Sequence, residues 1–253
     1  MGEPMAGWIL QAWRRGRLTT RFPRSAPTEA ELPPTARLPV LSPLPAEASR
    51  LREALCPTGA IEGTDIDGGR CVRCARCHIA GAAVTGPWDG SGPPPDRGPG
   101  PDGEGGGAQL PPPWPAPFGR SIHVFPIDVG SCQACNLEVL ALSNPYYDAS
   151  RLGIFFTPTP RHADLLLVMG VPTAAMEEPF RRALEAMPSP KAIVAVGACA
   201  ISGGLFRHLP GRWTVDSAPV PVIYLPGCPP APVQILAALR RAVGIPRAEG
   251  ERP

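Results

Sequence analysis

The feature that most constrains this 253-residue chain is the grouping of its eight cysteines. Three of them form a C-x-x-C-x-x-C run, two form a C-x-x-C pair, and three stand singly beside glycine or proline. In that order they are Cys71, Cys74 and Cys77; Cys132 and Cys135; and Cys56, Cys199 and Cys228. Eight thiolates divide into two sets of four, and four is the ligand count of a [4Fe–4S] cluster. The sequence therefore predicts two [4Fe–4S] clusters and a role in electron transfer.

The upstream set has the pattern of a reduced bacterial ferredoxin. Ferredoxin ligands follow C-x-x-C-x-x-C-x-x-x-C-P, and in two-cluster ferredoxins the fourth cysteine binds the other cluster. Here the first run is reduced to Cys56-Pro57, and Gly81 occupies the fourth position of the second run. The remaining ligands suffice for one cluster: Cys56, Cys71, Cys74 and Cys77. The alternative is that Cys56 binds no metal, and that the three cysteines of the C-x-x-C-x-x-C run hold zinc or a [3Fe–4S] centre.

Composition divides the chain into four parts. Residues 1–81 are predicted to be a shortened ferredoxin-like module, 82–119 a Pro/Gly-rich linker, 120–244 an α/β domain and 245–253 a tail. The linker has too few aliphatic residues to offset its ordering entropy. Near the start, Trp8 and Trp13 followed by arginines predict a short basic amphipathic helix, with a frayed terminus as the alternative.

Aliphatic runs alternate with helical patterns through 120–244, which predicts a doubly wound, mainly parallel, flavodoxin-like sheet. The predicted strands are Ile122–Ile127, Arg151–Phe156, Leu165–Met169, Ala192–Val196 and Val220–Leu225. The predicted helices are Leu137–Leu142, which begins near the C-x-x-C pair, Ala174–Ala186 and Val233–Val243, with Ala46–Leu55 in the first module.

The downstream cysteines each follow a predicted strand. Since ligands of an open parallel sheet bind outside the carboxyl ends of its strands, these cysteines should meet at one rim. Glycines flank them and let the backbone approach a cluster closely. The ligands are Cys132, Cys135, Cys199 and Cys228, and the glycines are Gly130, Gly197, Gly203, Gly204 and Gly227. The alternatives are a redox dithiol with two buried cysteines, or a zinc site.

The net charge and the lengths of the apolar runs limit which partners and which cellular compartment we expect for this chain. The net charge of +2 does not indicate nucleic acid as a partner. No apolar run reaches the ~18–20 residues of a membrane span. The apolar patch near Trp8 is too short for a secretory signal, and Arg14 and Arg15 follow it instead of preceding it. We therefore expect a cytoplasmic protein, in which cysteine groups bind metal more often than they form disulfides.

Four stretches of the α/β region resemble a known family: Asp128–Glu138, Pro160–Asp164, Gly197–Gly204 and Pro226–Pro230. They are similar to the small electron-transfer subunit shared by energy-converting membrane-bound [NiFe] hydrogenases, including formate hydrogenlyase, and by respiratory complex I, as its 20 kDa subunit. The resemblance implies that Cys132, Cys135, Cys199 and Cys228 hold a proximal [4Fe–4S] cluster facing an active site in another chain. The C-x-x-C spacing looks like the hydrogenase branch, because complex I has adjacent cysteines there. Residues 16–23 and the ferredoxin remnant resemble a shortened form of the ferredoxin-like subunit that accompanies this family.

The resemblance implies a fusion of two neighbouring subunits of a multi-subunit oxidoreductase. The expected partners are a large [NiFe]-type subunit, or a complex I 49 kDa-like subunit, with further electron-transfer and membrane-arm subunits. The expected location is peripheral, on the cytoplasmic side of the membrane. The alternatives are a complex I-like quinone-reducing subunit and a non-redox zinc-binding or cluster-scaffold protein.

Three further side chains are candidates near the downstream rim. Glu138 lies one helical turn beyond Cys135 and is either a proton relay or a charge that favours the helix N-terminus. Arg161 and His162 are expected to contact the large subunit or to tune the cluster potential, with plain surface loop residues as the alternative.

Overall fold

The computed structural model describes residues 19–32 without 23, 26 and 29, and residues 39–41, 43–79, 83–85 and 121–242. Several predictions lie outside these ranges. They are the amphipathic helix near Trp8 and Trp13, the ferredoxin position at Gly81, linker residues 86–119 and the tail.

The described residues of the front of the chain, 19–85 with the gaps given above, include two small antiparallel ribbons and two helices. Strand β1 (Pro39–Leu41) pairs with β4 (Ala83–Thr85), and β2 (Ile61–Glu62) pairs with β3 (Asp65–Ile66). Helix α1 (Ala46–Leu55) covers the residues predicted for it, and α2 is the single turn Arg76–Ile79. Strand β4 lies in the first residues of the predicted linker because it completes a ribbon with β1. The ferredoxin-like character of this module stays a prediction.

A five-stranded parallel sheet organises residues 121–242. Its strands are β5 (Ile122–Asp128), β6 (Ile154–Phe156), β7 (Leu165–Met169), β8 (Ala192–Val196) and β9 (Val222–Leu225). They lie in the order β6-β5-β7-β8-β9. This is the flavodoxin-like order, with a switch point between the first and third strands, where ligands bind outside the carboxyl ends. The predicted fold class of this domain is confirmed.

Helices cover both faces of the sheet, and the central strands show why. Along β7, Leu165 and Leu167 belong to one buried cluster, while Leu166 and Val168 belong to the other. A strand buried on both faces is apolar at every position. The helices of this domain are α3 (Ala134–Ala141), α4 (Ala174–Ala186), α5 (Gly197–Ser202) and α6 (Pro232–Ala242). Helix α4 packs on the second cluster and α3 and α6 on the first.

Two predicted strands begin later than expected. Ala149–Leu152 forms a 3-10 turn and Gly153 adopts a left-handed φ of 77°, so β6 begins only at Ile154. Strand β9 begins at Val222, after two prolines that lack the N–H needed for a full ladder. Within the part of the chain that the structure describes, no helix is both long and apolar enough to cross a membrane.

The segment 19–32 packs against the α/β domain. Arg151 donates hydrogen bonds to the carbonyls of Thr20 (3.0 Å) and Phe22 (2.6 Å). The Thr20 N–H donates to the Tyr146 carbonyl at 2.8 Å. Phe22 is buried in the first core cluster, and Leu32 packs on the start of α6. The front of the chain is therefore anchored to the sheet by buried apolar side chains and by hydrogen bonds to its backbone.

Candidate metal centre

The loop after β5, which carries the C-x-x-C pair, is held by one carboxylate. Asp128 accepts hydrogen bonds from the N–H groups of Gly130 and Ser131 (both 2.8 Å), from the Ser131 hydroxyl (2.7 Å) and from the amides of Gln133 (3.1 Å) and Asn136 (2.7 Å). Burial raises the pKa of Asp128, but the donors outweigh it, so the pKa lies below its usual value. Asp128 thus shapes the loop and also connects it to the first turns of α3.

Two glycines let the loops after β5 and β7 touch at the switch point. A Cβ on Gly130 would lie 2.6 Å from the Val171 carbonyl oxygen, and a Cβ on Gly170 would lie 2.5 Å from the Ser131 nitrogen. Both residues have positive φ, of 132° and 93°. Gly130 was predicted to serve a cluster directly. Its observed contacts are with the neighbouring loop, so it acts on the site by fixing where the C-x-x-C pair stands.

The downstream cysteines come together where β5, β8 and β9 end. A Cβ on Gly197, which has φ +86°, would lie only 2.7 Å from the Cys135 sulfur, and one on Gly204 would lie 3.2 Å from the Cys199 sulfur. The N–H of Ala198 donates to the Gly227 carbonyl at 2.8 Å, which joins the loops of Cys199 and Cys228. The loops that carry Cys135, Cys199 and Cys228 therefore meet at this rim, and the predicted ligand set stays a prediction.

The other two predicted glycines form turns. Gly203 has φ +84° and ends α5, where a Cβ would lie 2.8 Å from the Cα of Arg207. A Cβ on Gly227 would lie 2.5 Å from the nitrogen of Pro230. Neither glycine has a thiol among its nearest atoms, so each acts through the path of the backbone.

The four downstream thiols act electrostatically on one another. Burial, followed by the charges of Cys199, Cys228 and Cys132, raises the pKa of Cys135 to about 12. Burial and the charges of Cys228 and Cys132 raise the pKa of Cys199 to about 11. The pKa of Cys228 is raised by burial first and by Cys132 next. Four thiolates in this space need a positive centre, and a thiol that coordinates a metal is deprotonated outright. All eight cysteines are free thiols, as a metal-binding role requires.

The upstream cysteines line one open pocket. Cys56 enters it from the end of α1, and Cys71, Cys74 and Cys77 enter it from the loop before and within α2. Apolar side chains of Ala60, Ile61, Ile66 and Val72 form much of the remaining wall. The predicted upstream set is therefore brought together around a shared space.

Neither thiol set has the geometry of a site for a single metal ion. Among the described residues, no three Cys, His, Asp or Glu side chains converge closely enough to share one metal ion.

Backbone donors surround the first of these thiols. The N–H of Ala60 donates to the Cys56 sulfur at 3.2 Å. Burial raises the pKa of Cys56, but the backbone N–H groups of Ala60, Thr58 and Gly59 and the Thr58 hydroxyl outweigh it, and the pKa lies below its usual value. This turn thus stabilises a thiolate, which is the form that binds metal.

The cysteine run has an unusual backbone. Arg73 and Ala75 adopt left-handed φ values of 52° and 60° although neither is glycine. Such conformations are uncommon and concentrate where a ligand is held. Backbone N–H groups in alternating right- and left-handed conformations form anion-binding concavities of the kind found at Fe–S sites. The donor set and this backbone both fit an anionic thiolate-ligated cluster.

Among the described residues, hydrogen bonds at three places connect the loops of the two thiol sets. The Ser202 hydroxyl donates to the Gly69 carbonyl at 3.0 Å, and Arg207 donates to the Pro57 carbonyl at 2.7 Å. Arg73 donates to the Pro229 carbonyl at 3.4 Å. Each bond connects a loop of one set to a loop of the other, so the two sites adjoin.

Arg161 and His162 do not lie near the cysteine rim, and their predicted position is wrong. They belong to a short 3-10 turn, Pro160–His162, that leads into β7 at its amino end. There the N–H of Asp164 donates to the His123 carbonyl at 2.8 Å. Strand β6 ends level with Val124 of β5, and β7 begins level with the same residue, so their connection lies at the amino half of the sheet, away from the carboxyl ends.

Glu138 lies where it was predicted, on α3 and half buried, and burial raises its pKa. Its charge is among those that raise the pKa of Cys135. Its role as a proton relay stays a prediction.

Sequence reasoning missed Arg73, which contacts a loop of the other thiol set. Nothing in a C-x-x-C run indicates which intervening residue will turn toward a distant loop.

A parallel α/β domain that gathers thiols at its carboxyl rim, and that adjoins a second thiol-lined pocket, defines a class of metal-binding electron-transfer proteins. Residues 132–242 match the family described as the NADH ubiquinone oxidoreductase 20 kDa subunit. The chain belongs to this family, whose members are iron–sulfur subunits of oxidoreductase complexes. The predicted resemblance of the α/β region is confirmed, while the resemblance of the front module to a ferredoxin-like subunit stays a prediction.

Three relatives illustrate the range of the family. Formate hydrogenlyase subunit 7 of Escherichia coli is 43% identical over 127 residues, which are 50% of this chain and 50% of that protein. The probable membrane-bound hydrogenase subunit mbhJ of Pyrococcus furiosus is 41% identical over 47% of this chain and 72% of its own length. An NADH-quinone oxidoreductase subunit of Carboxydothermus hydrogenoformans is 40% identical over 51% of this chain and 81% of its own length. The chain thus spans half the length of the first relative and most of the other two.

Proposed function

We propose that this chain is the iron–sulfur electron-transfer subunit of a multi-subunit, membrane-associated [NiFe] hydrogenase of the formate hydrogenlyase type. It would hold two [4Fe–4S] clusters, one on each set of four thiols. The observation that carries the proposal is that two complete sets, distant in sequence, occupy adjoining loops of one body. When bound, each cluster would take up and release one electron. The chain's own residues would fix the distance between the two sites and the polarity around them.

The proposed electron-transfer path begins at an electron donor in a partner protein and ends in a large subunit. Electrons would enter at the upstream set, pass to the downstream set and leave toward a Ni–Fe site in another polypeptide. Support comes from relatives named as formate hydrogenlyase and membrane-bound hydrogenase subunits. Exposed leucines on α3 and on the turn after α5, Leu137, Leu140 and Leu205, leave apolar surface beside the downstream rim that a large subunit could cover.

Metal analysis of anaerobically prepared protein tests the cofactor content. We expect about eight iron and eight sulfide per chain, with EPR signals of reduced [4Fe–4S] centres. Replacing Cys199 by serine should halve the iron, and replacing Cys74 by serine should halve it from the other site. Stoichiometric zinc without iron would contradict the proposal and support the zinc-binding alternative.

The complex I-like alternative, with a 49 kDa-like partner and quinone as acceptor, is favoured by the relatives that are named as NADH-quinone oxidoreductase subunits. The spacing of Cys132 and Cys135 favours the hydrogenase branch. Purification of the native complex from membranes distinguishes them. A co-purifying large subunit with stoichiometric nickel and hydrogen-dependent reduction of the clusters supports the hydrogenase. A nickel-free complex whose clusters are oxidised by quinone supports the alternative.

The proposed location is the cytoplasmic face of the cell membrane, by attachment to membrane-arm subunits. High-salt or alkaline washing of membranes should release the chain together with its large subunit. Protease digestion of sealed inside-out and right-side-out vesicles should cleave it only in the inside-out set. Cleavage in right-side-out vesicles alone would contradict this location.

A further inference from the structure

Arg73 connects the two thiol sets. It stands between two cysteines of the upstream run, and its guanidinium donates to the carbonyl oxygen of Pro229, the residue after Cys228 of the downstream set. Arg73 has a left-handed φ of 52°, which is uncommon for a residue other than glycine. This hydrogen bond starts and ends directly beside cysteines of the two sets.

The guanidinium is buried and incompletely paired. The Nε atom of Arg73 is out of contact with solvent and has no hydrogen-bond partner among the described residues. A buried N–H group without an acceptor costs free energy, and a charged one costs more. Burial lowers the pKa of Arg73, and the thiolates of Cys71 and Cys228, one from each set, oppose this effect. The guanidinium nevertheless stays protonated, as arginine does in proteins.

We propose that Arg73 sets the reduction potential of both clusters. Its Nε–H would donate a hydrogen bond to a sulfur atom of a bound cluster, and its charge would lie between the two sites. This inference rests on the proposed function. Hydrogen bonds to the sulfurs and the net charge near a cluster set its reduction potential. A fixed cation stabilises the state that carries the extra electron, so it raises the potential of each cluster.

The position between the sites has a consequence for electron transfer. In that step one cluster is oxidised by one electron, the other is reduced by the same electron, and no proton or leaving group moves. A cation near only one cluster would favour the electron on that side. A shared cation raises both potentials together and leaves the transfer between them nearly balanced.

Three variants of the full chain test the inference: R73M removes the charge, R73K keeps it, and R70M removes a control charge. Arg70 is three residues away, half exposed and paired with Asp67 at 3.2 Å, so solvent screens its charge. Redox titration followed by EPR gives the midpoint potential of each cluster, and iron content gives occupancy. We expect R73M to lower the equilibrium constant for reduction of both clusters about tenfold or more, about 59 mV for a one-electron couple. R73K and R70M should each change it less than threefold.

The outcomes separate this inference from the proposed function. A wild-type chain without iron would overturn the proposed function itself. A wild-type chain with about eight iron, combined with unchanged potentials in R73M, would overturn only the role of Arg73. A shift confined to the upstream cluster would also overturn the shared role. If R73M loses iron, R73Q replaces it and should lower both potentials equally. If both neutral variants lose iron, R73K decides the question. Reduction potentials close to those of the wild type would support the inference. A tenfold fall in the equilibrium constant for reduction, although the charge is retained, would overturn it.

Discussion

The two thiol sets are positioned by different kinds of structure. The downstream set depends on the sheet, because its cysteines follow three strands and are separated by up to 96 residues of chain, from 132 to 228. The upstream set depends on a short local segment, 56–77, with a turn of backbone donors at one end and two left-handed residues within it. The comparison teaches that one protein can build two sites of the same chemistry, one by long-range topology and one by local backbone conformation. Changes to the sheet should therefore act on the downstream site first.

The largest effect is expected from closing the space beside the Cys135 sulfur. In Gly197→Ala a Cβ would lie 2.7 Å from that sulfur, and alanine is strained at φ +86°. We expect the downstream cluster to be lost and the iron content to fall by about half, from about eight to about four per chain. Metal analysis and EPR of the remaining centre check this.

Gly211→Ala is the matched control for backbone strain. Gly211 also has positive φ, 70°, but the nearest atom to a Cβ there is the Ala174 Cβ at 3.4 Å. This variant should keep its full iron. Equal iron loss in both variants would show that backbone strain, and not the contact with Cys135, is responsible.

The next effect concerns the core beneath the downstream rim. Leu167 is fully buried in the centre of β7, and Leu167→Ala should lower the free energy of unfolding by about 2–5 kcal/mol. The control Leu140→Ala removes the same atoms from a side chain that is 68% exposed and should change it by less than about 0.5 kcal/mol. Urea titration measures both. On heating, the downstream EPR signal should disappear before the upstream one in Leu167→Ala, and the reverse order would contradict the comparison.

A smaller effect is expected where the front segment meets the sheet. Arg151→Met removes the two hydrogen bonds to the carbonyls of Thr20 and Phe22. A lost hydrogen bond from a charged donor costs about 1.5–3 kcal/mol, and here the loss should be local to this contact. Hydrogen exchange of the Thr20 and Phe22 amides should become faster, while the amides of β7 stay unchanged. Faster exchange throughout the sheet would mean that the segment is part of the global folding unit.

The smallest effect is the pH dependence contributed by Asp128. Its folded-state pKa lies below its ordinary value, so it adds stability above the unfolded pKa of about 3.9, and this stability is lost as the pH falls through the folded-state pKa. Urea titrations of the metal-free protein between pH 7 and pH 3 should show a smaller loss in Asp128→Asn than in the wild type. Equal losses would assign the acid sensitivity to other carboxylates, such as Glu31, whose pKa is also lowered.

Much of the downstream site could be predicted from the sequence, and the reason is physical. The runs Leu165–Met169 and Ala192–Val196 are apolar at every position, a pattern typical of parallel strands covered on both faces. Their order and direction then require the loops after them to share one rim. The helix Ala174–Ala186 was likewise predicted with its observed bounds, since its apolar residues recur with the helical period.

The errors lie where local patterns do not determine a position in space. Arg161 and His162 lie within a family-like stretch that follows a predicted strand, yet that strand ends at the amino half of the sheet and the turn leads directly into β7 there. Strand β4 lay in a stretch that resembles linker by composition, and it forms because β1 offers it a partner.

The sequence by itself determined the number of thiols, their division into two sets and the alternation of strands and helices, because these follow from residue type and spacing along the chain. Only the tertiary structure decided that the two sets adjoin, that Gly197 makes room for the Cys135 sulfur and that Arg73 reaches Pro229. Those facts depend on which loops meet across gaps of 62 to 156 residues, and side-chain contacts of that range are set by packing.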